Sequence, residues 1–312
     1  MLSFLHVNPE IIIEIPGNQK LMDEIKDFSP PDIVAYYRSD TITGKVTIKP
    51  PPGKKVSHKS IMLTVFGEFR GDTTNKEVYE RFYERTQCLM PPGDLVNELS
   101  TDFTFENINL PTNTYYGTAI NALYGVEVRI CHRISDFVVE KQFIGLSYAT
   151  YPLKTTLHNE VGIKNVLHVE FIFPRQAYDA REPIVGAACF ILVKLRIVFM
   201  RMNIFRSEVF NSETSYFKKK TLLKTYDILD GAPVRGDFIP IRIYMGDIDL
   251  WPYQHFKGST LEVEHYLRVE MSDENGKKYF KKMKVYFNRF RKEDIDKINQ
   301  ESRVHEVGSE KQ

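Results

Sequence analysis

The sequence predicts an all-β protein built from two antiparallel β-sandwiches. Three observations support this fold class: apolar and polar residues alternate along many short runs, Gly- and Pro-containing turns separate the runs, and helical patterns are few. The length of 312 residues exceeds that of a typical single sandwich and suits two domains of roughly 150 residues each. We therefore expect domains at residues 1–152 and 153–290, followed by a charged, disordered tail at residues 291–312.

The strongest strand patterns have one apolar face and one polar face, as in strands that cover a core with one side only. They lie at residues 126–130, 167–173, 191–199, 239–245, 261–271 and 279–287. The pair Asn275-Gly276 tolerates positive φ, so it predicts a hairpin that joins Leu261–Met271 to Tyr279–Phe287.

Helical and boundary signals are sparse. Single short helices are expected at Met22–Phe28 and Lys76–Arg85. Tyr151-Pro152 interrupts two strand-rich halves, which places the predicted domain boundary within Ala149–Lys154.

Composition narrows the function classes. The formal net charge of +1 argues against broad electrostatic capture of nucleic acid or acidic lipid. Three widely spaced cysteines suggest reduced thiols rather than a disulfide framework or a zinc site. The most apolar run, Ile184–Met200, contains Lys194 and Arg196 and is shorter than the about 20 residues that a bilayer needs. We therefore expect a soluble, intracellular protein without a signal peptide.

Catalytic motifs are missing from the sequence. It contains no Gly-rich phosphate loop, HExxH, GxSxG or CxxC pattern. His168 is interpreted as a strand residue on an outer face, and Cys189 as a small buried hydrophobe. We expect no catalytic residue, no metal site and no cofactor, although carboxylates cannot be paired across strands from sequence alone.

One aromatic residue, Phe280, is predicted on the polar face of the last strand. Met283, Val285 and Phe287 share the parity of a core face, whereas Phe280 lies among lysines on the other face. The ring either lies under another strand or the domain interface, or it marks a small binding site. If the strand is also a sheet edge, an extended peptide could pair with it.

A second anomaly lies in the stretch Tyr226–Met245, which reads YDILDGAPVRGDFIPIRIYM. We expect Ile228 and Leu229 at the edge of a loop, because Asp230-Gly231 and the Gly and Pro residues that follow favour turns. The pair either tucks under this loop or docks into a groove on a partner, where its burial would contribute roughly 3–6 kcal/mol before association costs.

Several blocks together resemble one known family. They are YDILDGAPVRGDFIPIRIYM, IVGAACFILVKLRI, NEVGIKNVLHVEF, ATYP, TITGKVTI and KKYFKK. Together they resemble the arrestin-like subunit of retromer, the family called vacuolar protein sorting-associated protein twenty-six, and the match runs in order from about Pro9 to Arg291. The resemblance implies two curved, arrestin-like β-sandwiches of immunoglobulin-like topology and no catalysis.

The resemblance also implies a function. Members of this family are cytosolic adaptors on endosomes that join a helical-solenoid subunit and, with sorting nexins, select membrane cargo by its cytosolic tails for return to the Golgi or plasma membrane. The membrane is contacted only through partners, and no nucleic acid is involved. Two alternatives remain open. One is an arrestin-like scaffold in a different endosomal trafficking complex; the other is a β-sandwich with a deep pocket that binds a small ligand or has an unrecognised hydrolytic activity.

Site residues follow from the resemblance position by position. The family's solenoid-binding loop carries an aliphatic pair just before the DGAPVRG block, and its cargo and sorting-nexin site uses an aromatic of the last hairpin and a valine near the start of the second sandwich. The matching solenoid-binding positions are Ile228, Leu229, Asp230, Gly231, Val234 and Arg235. The matching cargo and sorting-nexin positions are Val161 and Phe280.

Other positions depart from the family pattern. Arg38 and Tyr148 stand where animal members use an aspartate and a leucine to contact a PDZ-containing sorting nexin, so we do not expect that partner. Leu123 replaces an arginine, which would alter a polar network if that arginine belongs to one. Glu264 stands where relatives tend to have arginine, and Trp251 replaces a small hydroxyl residue in a loop.

Overall fold

The chain is nearly all β, as the sequence predicts. The structure is a computed structural model that describes residues 8–26, 29–73, 76–149, 156–248, 250–251, 260–291 and 293–295. The chain divides into two compact units, Met1–Ser147 and Tyr148–Gln312. The predicted boundary at residues 152–153 lies outside the described residues.

The first unit contains ten strands and one helix within its described residues. These are β1 (Glu10–Glu14), α1 (Gln19–Ile25), β2 (Ala35–Tyr37), β3 (Ile42–Lys49), β4 (Val56–His58), β5 (Ser60–Thr73), β6 (Lys76–Met90), β7 (Gly93–Leu95), β8 (Leu99–Phe105), β9 (Ile120–Cys131) and β10 (Phe137–Leu146). A three-stranded sheet has the order β1-β3-β8, a five-stranded sheet has the order β2-β10-β9-β5-β6, and β4 pairs with β7. Apolar residues of both larger sheets share one buried core, which makes this unit a β-sandwich.

The second unit contains nine strands within its described residues. These are β11 (Leu157–Ile163), β12 (Leu167–Phe173), β13 (Ala177–Asp179), β14 (Ile184–Val193), β15 (Ile197–Asn211), β16 (Tyr216–Asp230), β17 (Phe238–Ile243), β18 (Leu261–Asp273) and β19 (Lys278–Asn288). A four-stranded sheet, β11-β12-β14-β17, covers a five-stranded sheet, β13-β19-β18-β15-β16, over a common apolar core. The prediction of an all-β fold with two sandwiches is confirmed.

The predicted hairpin at Asn275-Gly276 is confirmed as the connection between β18 and β19. Gly276 has φ of 78°, a conformation that costs glycine little. The Asp273 carboxylate stabilises the turn, because one of its oxygens accepts hydrogen bonds from the amides of Asn275 and Lys277, both 2.9 Å. Its other oxygen accepts a 2.8 Å hydrogen bond from the Tyr279 hydroxyl.

Of the two expected helices, one forms. Helix α1 begins earlier than predicted, after Asn18, whose side chain accepts a hydrogen bond from the Leu21 amide at 3.2 Å. The prediction of a helix at Lys76–Arg85 is wrong, because this segment belongs to strand β6 and pairs along its length with β5. Its many charged residues suit a strand at the edge of a sheet, and Val78 is buried.

Three further expectations need adjustment. The run at residues 191–199 is not one strand, since β14 ends at Val193 and β15 begins at Ile197. Cys189 is half-exposed rather than buried, because its neighbours Ala188 and Phe190 occupy the core face of β14. Within the predicted tail, residues 293–295 form a helical turn, and residues 296–312 lie outside the described residues.

Candidate functional site

The aliphatic pair lies at the end of a strand and not in a loop. Strand β16 continues through Ile228 and Leu229 to Asp230, so the expectation of a loop at this point is wrong. The reason is the antiparallel pairing of β16 with β15, which places Leu229 opposite Met200. β16 is the outer strand of its sheet, and its other side has no paired strand in the described part of the chain.

Both side chains of the pair are partly buried. Ile228 and Leu229 pack against the apolar core of the second unit and retain part of their surface. A bulge lies here, because the pairing passes from Met200–Leu229 to Arg201–Asp227 and leaves Ile228 without a cross-strand partner. The pair therefore contributes to the core and still offers apolar surface at the sheet edge.

The loop after β16 presents a more exposed apolar residue. Val234 exposes 62% of its surface, while Asp230, Gly231 and Arg235 are also exposed. The loop is ordered by its own hydrogen bonds, since the Asp237 carboxylate accepts from the Val234 amide at 2.8 Å. We call Ile228, Leu229, Asp230, Gly231, Val234 and Arg235 the β16–β17 surface.

Sequence reasoning missed one residue beside this surface. Phe238, the first residue of β17, is 65% exposed. It has the parity of Arg242 and Tyr244, opposite to the buried Ile241 and Ile243. The parity argument that singled out Phe280 would have found it.

Phe280 lies on the outer face of β19, as its parity predicts. It is 69% exposed, whereas Met283, Val285 and Phe287 are buried. β19 is not the edge strand, since β13 pairs with its last residues from Tyr286 onward. Over the earlier part of β19, around Phe280, the described residues supply a paired strand only on the β18 side.

Val161 lies on a neighbouring strand but faces the core. It is 8% exposed and pairs with Val169 of β12. Its strand, β11, is the edge of the four-stranded sheet and approaches β19 to within 8 Å between Cα atoms. The structure thus brings together the strands of Val161 and Phe280, although only Phe280 offers a large exposed side chain.

Arg38 has a structural role in the first unit. Its guanidinium donates hydrogen bonds to the carbonyl oxygens of Leu110 at 2.6 Å and Pro111 at 2.8 Å, and to the Ser147 hydroxyl at 3.3 Å. Burial lowers the pKa of Arg38. This residue therefore holds two chain segments together.

Leu123 borders a buried polar network. It is buried opposite Glu68, which is completely buried and pairs with Arg70 and Arg81. Arg70 also donates to Glu140 at 2.7 Å, and this hydrogen bond lowers the pKa of Glu140. The network therefore exists with leucine at this position, because arginines on two neighbouring strands supply its cations.

Three other residues discussed in the sequence analysis have local partners or lie in the core. Glu264 accepts a 2.5 Å hydrogen bond from Lys284, and Trp251 is buried. His168 lies on the outer face of β12, as interpreted, with its Nε2 3.3 Å from the Glu160 carboxylate.

His265 is buried in the second unit. Burial, with a smaller contribution from Arg206, lowers the pKa of His265 to about 3. Within the described ranges, no three His, Cys, Asp or Glu side chains are arranged to hold a metal ion. None of the helices in the described segments has the length and apolar character needed to span a membrane.

Comparison with known proteins gives a family. The model of the family "Vacuolar protein sorting-associated protein 26" matches residues 8–276. A Caenorhabditis elegans protein of the same name is 33% identical over 261 residues, or 81% of this chain and 72% of the relative. Human vacuolar protein sorting-associated protein 26B is 29% identical over 294 residues, or 93% of this chain and 86% of the relative. Because the family match spans most of its length, this chain belongs to the vacuolar protein sorting-associated protein 26 family.

Proposed function

We propose that this protein is the non-enzymatic adaptor subunit of a retromer complex on the cytosolic face of endosomes. It binds the helical-solenoid subunit through the β16–β17 surface, and it helps sorting nexins recognise the cytosolic tails of membrane cargo for retrograde transport. The observation that carries the proposal is the apolar surface left accessible at the end of edge strand β16, together with exposed Val234 and Phe238 in the segment that follows it.

The size of this apolar surface suits an interface anchor. Val234 and Phe238 are mostly exposed, and full burial of such side chains contributes roughly 1.5–3 kcal/mol each before association costs. Ile228 and Leu229 add only their remaining surface, since the core already covers part of each. Exposed Asp230 and Arg235 supply a polar rim around this apolar centre.

The packing of Ile228 and Leu229 against the core explains why the β16–β17 surface is ordered without a partner. Ile228 and Leu229 are held from below by the core, and the loop beyond them is held by the hydrogen bond from the Val234 amide to Asp237. An interface that is ordered in advance loses less conformational entropy on binding. The arrangement therefore suits docking of a rigid helical groove.

The cargo role rests on a different part of the second unit. Phe280 presents a free aromatic ring, and β11 with Val161 lies beside its strand. An extended cargo tail could lie along this part of β19, where Phe280 would contact an apolar residue of the tail. Val161 would support this site from the core side, because its own side chain is buried.

Co-purification with the solenoid subunit tests the proposal. The double change Ile228→Asp with Leu229→Asn is expected to abolish association, since it places polar groups in an apolar contact. Because these side chains also touch the core, Val234→Asp is the second variant; it alters an exposed loop residue and should weaken association with no change in thermal unfolding.

The matched control is Leu222→Asn, which changes another half-exposed leucine of β16 away from the loop. It should leave association intact. Near-stoichiometric recovery of the solenoid with both surface variants would contradict the proposal. Recovery of a solenoid other than that of retromer would instead favour a scaffold of another endosomal complex.

A further inference from the structure

Three cationic side chains meet on the outer face of the five-stranded sheet of the second unit. They are Lys220 on β16, Arg268 on β18 and Lys282 on β19, which we call the cation cluster. Arg268 and Lys282 lie directly opposite each other in the antiparallel pairing. Like charges at directly opposed positions destabilise a sheet, so this placement costs the free chain stability that a bound anion would restore.

Two aromatic rings form the floor under the cluster. Phe205 and Tyr266 are cross-strand partners on β15 and β18. The Lys220 Nζ lies 4.3 Å and the Arg268 Cζ 4.7 Å from the centre of the Phe205 ring. The Lys282 Nζ lies 3.3 Å from the centre of the Tyr266 ring. These contacts hold the three cations close together without neutralising them.

The cluster carries more positive than negative charge. Among the described residues, neither Lys220 nor Lys282 has a carboxylate oxygen within 4.0 Å of its Nζ; Glu264 bonds to Lys284 and interacts with Lys282 only over a longer distance. Arg268 reaches the Glu270 carboxylate at 3.3 Å, but Glu270 also binds Lys278 at 2.8 Å. Burial, followed by repulsion from Lys282 and Arg268, lowers the pKa of Lys220, as expected for cations without enough counter-charge.

We propose that the cation cluster binds the acidic residues of an extended peptide whose apolar residue contacts Phe280. Phe280 and Lys282 share one face of β19 at positions two apart, about 6.6 Å along the strand, which is also the spacing of alternate side chains in an extended peptide. A carboxylate two positions from the apolar residue would therefore reach Lys282, with Arg268 and Lys220 nearby. This inference rests on the proposed cargo role of Phe280 and adds a charge preference to it.

Charge on the rest of this face favours a peptide over a membrane surface. Glu264 pairs with Lys284 at 2.5 Å, and Arg201 pairs with Asp227 at 2.6 Å. These carboxylates balance the charges of Lys284 and Arg201 on the same face of the sheet. Anionic membranes are bound by larger fields of about 4–8 basic residues, whereas a few acidic side chains need only a local site.

Fluorescence anisotropy of labelled peptides against the full chain tests the inference. Two peptides share one aromatic-x-aliphatic core and differ in their flanking residues, which are Asp in one and Asn in the other. At low salt we expect the Asp peptide to bind about threefold to tenfold more tightly, as suits two or three exposed charge pairs. The preference should shrink at ~0.5 M salt, where exposed charges are screened.

The double variant Lys220→Gln with Lys282→Gln should remove this preference. Lys219→Gln is the control for the Lys220 change, because Lys219 is the exposed chain neighbour of Lys220 on the opposite face of β16 and each of the two substitutions removes one positive charge. Phe280→Ala should weaken both peptides and leave the preference for Asp unchanged.

Several results would overturn the inference: equal affinity for the two peptides, no binding of either, or an equal loss of preference in Lys219→Gln. Cluster-dependent binding to phosphatidylserine vesicles without any peptide preference would assign the site to membranes and would also overturn it. If Phe280→Ala changes neither peptide while the lysine variants remove the preference, the acidic-peptide site stands and the cargo role of Phe280 fails.

Discussion

The carboxylate of Asp179 binds the backbone amide of Phe290, a residue 111 positions later, at 2.9 Å. The same buried carboxylate accepts hydrogen bonds from the Arg181 guanidinium at 2.7 and 2.9 Å and from the Arg181 amide at 3.0 Å. This contact ties the end of the β19 segment, which carries Phe280, to the short strand β13. It therefore fastens the C-terminal end of β19 to β13 within the second unit.

Acid should weaken this contact. Burial alone would raise the pKa of Asp179, but the hydrogen bonds from Arg181 and Phe290 outweigh it and lower the pKa. A lowered pKa in the folded state contributes stability above the unfolded-state value of about 3.9, and this contribution is lost as the pH falls through the folded-state value. Denaturant unfolding between neutral and acid pH should show this decline.

Asp179→Asn gives the corresponding variant. We expect it to lower the free energy of unfolding at pH 7 by about 1–3 kcal/mol, because a buried charged hydrogen-bond network loses its acceptor charge. The free energy of unfolding of the variant should also depend less on pH in the acid range than that of the unaltered chain. If Asp179→Asn left the free energy of unfolding unchanged at neutral pH and at acid pH, the contact between Asp179 and Phe290 would not be stabilising.

Changing Arg38→Asp should destabilise the first unit. The guanidinium donates to the carbonyl oxygens of Leu110 and Pro111, and a carboxylate in its place would leave these acceptors unpaired and face them with negative charge. We expect a loss of about 1–3 kcal/mol in the free energy of unfolding. Arg133→Asp, at an exposed position, is the control and should change it little. Equal effects of the two substitutions would refute a structural role for Arg38.

Changing Phe280→Ala should weaken sorting of cargo tails that carry an aromatic-x-aliphatic motif, with complex assembly unchanged. The ring is 69% exposed, so its loss removes binding surface and leaves the core intact. Cargo retrieval in cells and co-purification of the solenoid measure the two properties separately. Tyr286→Ala, on the same face of β19, serves as the control. Loss of assembly in Phe280→Ala would mean that the residue is structural.

The alternation of residues along the chain was enough to predict several of the strands and their faces. Met283, Val285 and Phe287 are buried and Phe280 is exposed because side chains on a strand alternate between its two sides. The hairpin at Asn275-Gly276 was predictable for an equally local reason, the tolerance of these residues for positive φ.

Only the tertiary structure decided which strands lie at an edge and which residues meet across strands. Lys76–Met90 became a strand because β5 supplies its hydrogen-bond partners, and Leu229 joins a strand rather than a loop because β15 extends far enough to pair with it. The cation cluster joins β16 to the hairpin of β18 and β19, which lies much later in the sequence. The physical reason is that pleating acts between chain neighbours, whereas register and burial depend on which distant segment packs alongside.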